Sequence, residues 1–273
     1  MHGLSLSNRH RRPCTDVNTE KIMTPSEANT TRHLKLDYLT RVEGEASLRL
    51  HVDHGAVAGL ELSIFEPPRF FEALLRGRSA LEAPDITARI CGICPVAYQL
   101  TAAIAVEQAL GVVVSPQVER LRRVLYAGEW IQSHVLHITM LHAPDFLGFD
   151  DVASMARVHG AQVRAGIELR RVGSQLVKVL GGREIHPINV RVGGFYSLPS
   201  ADELNQLESN LAVGIEQAIA YTRWLATFEF PEVRREWKAL AIKQDSQYPL
   251  LGGMLTVDGQ EDFAVTEFEA KVK

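Results

Sequence analysis

Cysteine is scarce in this chain, with three residues in 273. Three thiols cannot build a disulfide framework, so a stapled secreted scaffold is excluded and a reducing compartment is expected. An excess of charge of one sign is also lacking. A formal net charge of −4, from 29 basic and 33 acidic residues, gives no electrostatic reason to expect nucleic acid as a partner. No apolar run is long enough to span a bilayer, and the N-terminus has no apolar central region of the kind that marks a secretory signal. The expectation is a cytoplasmic protein without a membrane span. Internal repeats and low-complexity segments are absent. The hydrophobic content of 46% and the charged fraction of 23% are ordinary for a globular chain, one long enough to bury a sizeable core.

What is present is organised around Arg89-Ile90-Cys91-Gly92-Ile93-Cys94-Pro95. Two cysteines at this spacing can share one metal ion or form and break a disulfide. Pro95 suits the first position of a helix, where its missing N–H costs nothing. Cys94 then falls at the N-cap, where the helix dipole and free amides favour a thiolate. The run from Val96 to Leu110 is apolar on nearly every side, which predicts a buried helix. A buried metal centre fits this setting better than a surface thiol. Core cysteines beside a turn, a thioredoxin-type redox pair and a structural zinc site remain open, although zinc needs two more ligands and the third cysteine, Cys14, lies in a polar tail.

Residues 1–33 read as a disordered polar tail. From Leu34 the pattern alternates through Tyr38, resumes over Ala46–Val52, turns at Asp53-His54-Gly55 and continues over Val57–Ile64, which predicts a small antiparallel sheet. Charges cluster at Arg41-Val42-Glu43-Gly44-Glu45. Arg69–Arg78 reads as a short helix with Glu72 among apolar neighbours, either a solvated edge residue or a buried ligand. Ser115-Pro116 opens a helix predicted to run to about His142. Its histidines His134 and His137 share a face, but a late-helix dipole role explains them better than a metal. Asp150 or Asp151 caps a long helix that ends at Gly181-Gly182. Ser200 and Glu203 form a capping box for another, running to about Phe228. The fold class is therefore α+β, mainly a helical bundle with a small N-terminal antiparallel sheet. Two glycine pairs, Gly181-Gly182 and Gly193-Gly194, flank Arg183 and His186 and allow a close backbone approach.

Together these stretches resemble the large subunit of nickel–iron hydrogenases, in the cytoplasmic, nucleotide-coupled branch. Arg41-Val42-Glu43-Gly44 is similar to the family's first motif. Phe71-Glu72 to Gly77-Arg78 resembles the segment ahead of the metal cysteines, and Arg89–Pro95 resembles the second motif. Gly181-Gly182-Arg183 with His186-Pro187, then Val192-Gly193-Gly194-Phe195, resembles the third. Leu141–Phe146 is similar to the family's central helices. The resemblance implies Cys91 as a terminal nickel ligand and Cys94 as a bridge between nickel and an iron that carries cyanide and carbon monoxide. It implies Glu43 as a proton-relay carboxylate, Glu72 as a magnesium ligand, and Arg183 and His186 as cofactor-binding residues. The implied reaction is the reversible oxidation of H2. The implied partners are an iron–sulfur small subunit and diaphorase-type electron-transfer subunits.

Two departures from the family pattern bear on this. Tyr98 stands where the second motif usually has a histidine that hydrogen-bonds a bridging sulfur, which puts tuning of the metal in question rather than binding. The family's second Cys-x-x-Cys pair is not found, so residues 34–273 are expected to be the N-terminal portion of one large-subunit domain, inactive alone. Apolar surface is expected beside the cysteine helix. A non-catalytic scaffold related to the quinone-oxidoreductase subunit of the same fold lacks the nickel cysteines, and a thiol–disulfide oxidoreductase does not suit the all-helical surroundings.

Overall fold

The computed structural model describes residues 31–42, 44–66, 70–258 and 261–272. Its first unit is a sheet of β1 (Arg32–Leu36), β2 (Glu45–Asp53) and β3 (Ala56–Phe65), antiparallel in that order. Register places Leu34 opposite Leu50 and Leu36 opposite Leu48, with Leu60 and Leu62 across from the same two β2 residues. Leucines thus line one face, and His33, Lys35, Arg49 and Glu61 the other. His54 and Gly55, at φ 49° and 79°, form a two-residue turn whose positive φ values match the strand twist. The strand begins at Arg32, so the expected tail boundary at residue 33 is too late. Arg32 and His33 pair with Val52 and His51, and neither carries an apolar signal.

Helix α1 (Phe71–Leu75) is shorter than the predicted Arg69–Arg78. Left-handed backbone at Phe70 and Gly77 interrupts both ends. A short α2 (Ala83–Thr87) leads to the cysteine loop and α3 (Pro95–Leu110), which Gly111 ends in the left-handed conformation. Only one side of α3 is buried. Val96, Leu100 and Ala103 join Leu125, Val177, Leu180, Val190 and Phe195 in the main core cluster, whereas Tyr98, Thr101 and Ala105 are exposed. The expectation of burial on nearly every side is corrected, because neighbouring elements contact this helix from one side.

Helix α4 (Pro116–Leu136) starts at Ser115, whose side chain caps Val118 N. Its last turn widens into a π-helical segment, His137–His142, which continues into α5 (Ala143–Leu147). Helix α6 (Val152–Gly181) has the capping box Asp151/Ser154, Gly182 at its C-cap and a kink at His159, beside Gly160. Helices α4 and α6 lie antiparallel at very short range. A Cβ on Gly173 would stand 2.6 Å from both Gly128 O and Gln132 N, and one on Gly128 would stand 2.7 Å from Leu176 Cβ. Glycine is required here so that the two backbones can touch. The short hairpin β4 (Val190–Arg191) and β5 (Gly194–Phe195) follows.

Helix α7 (Ala201–Leu225), with the capping box Ser200/Glu203, packs on α6, and Tyr221 Oη lies 2.6 Å from Thr139 Oγ1. A second three-stranded sheet of β6 (Leu240–Lys243), β7 (Met254–Val257) and β8 (Phe263–Ala264) was not expected from the sequence, because its strands are too short to show alternation. The last helix is α8 (Phe268–Lys271).

A buried ion pair ties the hairpin to the core. Arg122 donates to both Glu107 oxygens at 2.8 and 2.6 Å and to Arg191 O at 3.0 Å, while Gly193 N donates to Glu107 at 2.7 Å. Burial alone would raise the Glu107 pKa, but the hydrogen bonds from Arg122 and Gly193 hold it below the usual value.

Candidate metal centre

The cysteine loop is short and shaped by its own amides. Cys91 Sγ accepts hydrogen bonds from Ile93 N at 3.4 Å and Cys94 N at 3.3 Å. These bonds hold the sulfur in a fixed position against the loop backbone. Both cysteines are half-buried and unoxidised. Cys94 is the N-cap of α3 as expected, followed by Pro95, but its side chain makes no capping hydrogen bond. The amides it leaves open are taken from another helix. Val96 N donates to Glu129 Oε2 at 2.6 Å and Ala97 N to Oε1 at 3.2 Å.

Glu129 is 5% exposed. Burial pushes its pKa up to about 7, although the two amides pull it down. Sequence reasoning missed this residue. The available signal was a carboxylate one place after Gly128, on the helix face that carries Leu125 and Gln132 toward α6.

Behind the cysteine loop lies the loop 182–187. Gly182 ends α6, His186 adopts φ 52°, and Arg183 Nε donates to His186 O at 2.5 Å. His186 Nδ1 lies 2.7 Å from Ala88 O, and Gln99 Nε2 donates to Pro187 O at 2.9 Å. The glycine-rich stretch and the cysteine stretch, about ninety residues apart in the chain, therefore meet through two polar contacts. Tyr98 sits one turn into α3 on its exposed side, and its carbonyl accepts from Thr87 Oγ1 at 3.3 Å.

The first charged stretch docks elsewhere. Arg41 bonds both Asp145 oxygens at 2.9 Å and Leu141 O at 3.0 Å, which pins it to the π-helical segment and α5. Glu43 lies outside the described residues, as does Cys14. Glu72 is exposed in the first turn of α1. His137 and His142 face each other, with Nε2 atoms 3.1 Å apart, and His134 Nδ1 lies 2.7 Å from Trp130 O. Burial, then the neighbouring His142, His134 and Arg41, lower the His137 pKa. Among the described residues, no group of three or more His, Cys, Asp or Glu is arranged to hold a metal ion. Cys91 and Cys94 bring two sulfur atoms to one short loop, a donor type that suits a soft or borderline metal such as nickel.

Residues 69–167 match the family described as nickel-dependent hydrogenase. Sulfhydrogenase 2 subunit alpha of Pyrococcus furiosus is 41% identical over 174 residues, 64% of this chain and 42% of that protein. Sulfhydrogenase 1 subunit alpha of the same organism is 31% identical over 242 residues, 88% of this chain and 56% of that protein. The solved NAD+-reducing [NiFe]-hydrogenase superposes with a TM-score of 0.66 at 33% identity, over 72% of this chain and 46% of that one. The chain belongs to the nickel-dependent hydrogenases. Within that family it corresponds to the large, or alpha, subunit, and it spans about half the length of the curated relatives it matches.

Proposed function

We propose that this chain supplies part of the catalytic centre of a nickel–iron hydrogenase that oxidises H2 reversibly. The observation that carries the reading is the Cys91–Cys94 loop, whose sulfur already accepts two amide hydrogens at the head of a core helix. In this reading Cys91 would be a nickel ligand and Cys94 would be a ligand to both nickel and an iron carrying cyanide and carbon monoxide. When bound, the metal pair supplies heterolytic cleavage of H2. The family's thiolate environment has four sulfurs, so two further donors join these two.

The roles of the protein side chains follow from their chemistry. Glu43 carries protons between the centre and solvent, and Glu72 is a hard oxygen donor for magnesium. Arg183 and His186 are cofactor-binding residues, supported by the contact of His186 with Ala88, three residues before Cys91. Electrons leave through an iron–sulfur small subunit, since with the two loop cysteines holding nickel and iron only Cys14 is left in this sequence, too few thiols to hold a cluster. Diaphorase-type subunits and a cytoplasmic location are supported by the similarity to an NAD+-reducing hydrogenase. Among the described residues, no helix is long and apolar enough to cross a membrane.

The test is made in the assembled complex. Cys91→Ser and Cys94→Ser each abolish H2-dependent dye reduction and nickel incorporation, and normal nickel content in either variant refutes the assignment. Glu43→Gln separates the relay from the metal: H2–H⁺ exchange collapses while ortho–para conversion continues. Equal loss of both counts against the relay.

A further inference from the structure

We infer that Glu129 is a positioning residue for Cys94: its buried carboxylate caps the N-terminus of α3 from a neighbouring helix and so fixes where that sulfur sits. The inference rests on the reading of Cys91 and Cys94 as metal ligands. Helix N-termini are ordinarily satisfied by the side chain at the N-cap itself, most often Ser, Thr, Asp or Asn. Here the N-cap is Cys94, and its sulfur is not used for that purpose. The cap is delegated to Glu129, a residue 33 positions away from Val96.

The geometry is specific. Each carboxylate oxygen takes one amide, Oε2 that of Val96 and Oε1 that of Ala97, so Glu129 fixes both the position and the rotation of the first turn. Val96 itself is fully buried. The other end of the link is rigid as well. Glu129 follows Gly128, which lies in backbone contact with α6, so α4 cannot slide without breaking that contact. A chain of fixed elements therefore runs from the α4–α6 seam through Glu129 to the first turn of α3 and Cys94.

The test labels thiols in the purified chain with N-ethylmaleimide at pH 6, where Glu129 is mostly protonated and Gln is its isostere. The ratio of Cys94 to Cys91 labelling rates is read by mass spectrometry. In Glu129→Ala the first turn frays and its uncapped amides favour the thiolate, so the ratio rises about fivefold. Glu129→Asp cannot reach both amides and gives an intermediate ratio. Glu129→Gln keeps the reach and one acceptor oxygen but turns a donor-only NH2 on the second amide, so its ratio falls between those of the parent chain and the Ala variant. If the Ala variant does not fold, the Asp and Gln variants decide. Equal ratios in Ala and Asp, or a rise that Gln fails to suppress, overturn the inference. Cobalt(II) titration of the parent chain and of Cys94→Ser, followed by thiolate charge-transfer absorption, tests the metal reading separately. Bands missing from both would sink that reading without altering the labelling result.

Discussion

The α4–α6 seam and the leucine face of the N-terminal sheet are both patterned for burial, yet the structure closes one and leaves the other open. In the seam, Gly128 and Gly173 bring the two backbones together, and Leu176, Val177 and Leu180 behind them are almost fully buried. On the sheet, Leu60 and Ile64 remain 64% and 62% exposed. The seam holds α4 still, and α4 carries both Arg122, which anchors the glycine hairpin, and Glu129, which anchors the cysteine helix. The difference shows where positional precision is concentrated, along the line that leads to Cys94.

That contrast can be broken most strongly at Arg122. Arg122→Ala leaves Glu107 buried without its partner and should cost about 3–5 kcal/mol, read by urea unfolding. Adding Glu107→Gln should recover part of the loss. A cost below about 1 kcal/mol, the range of exposed pairs, would mean that the pair does not anchor the hairpin.

Glu129 gives the next effect, as a pH dependence. Its folded pKa of about 7 lies above the reference value of 4.5, so the folded state binds the proton more tightly. The stability this contributes is fully present below about pH 4.5 and is lost as pH rises through 7. The stability of the parent chain relative to Glu129→Gln should therefore fall by on the order of 2–3 kcal/mol from pH 4.5 to 7.5. Parallel profiles for the two proteins would show that Glu129 does not titrate in this window.

A methyl group added to the seam comes third. Gly173→Ala places Cβ against two backbone atoms that cannot move aside, and should cost about 1–3 kcal/mol by thermal unfolding. Leu60→Ser on the open sheet face should change stability by no more than about 0.5 kcal/mol. If the two substitutions cost the same, the seam and the sheet do not differ in the way described.

Local signals made much of this legible in the sequence. The caps at Ser115, Asp151 and Ser200, the stop at Gly182, the His54-Gly55 turn and Cys94 at the head of α3 each depend on a few adjacent residues, and each was readable. What stayed hidden depends on partners distant in sequence. Arg41 meets Asp145 across 104 residues, and Glu129 meets Val96 across 33. The one-sided burial of α3 is decided by which elements pack against it, whereas its composition is apolar on both sides. The π-helical segment at His137–His142 accompanies contacts with Arg41 and Tyr221 and leaves no mark in the hydrophobic period.

The central claim is that Cys91 and Cys94 hold nickel through sulfur, and nickel-edge X-ray absorption on the nickel-loaded chain tests it most directly. The account predicts a shell of sulfur scatterers that disappears when both cysteines are replaced by serine. A nickel environment of oxygen and nitrogen alone in the unsubstituted chain, unchanged by the double replacement, would contradict it.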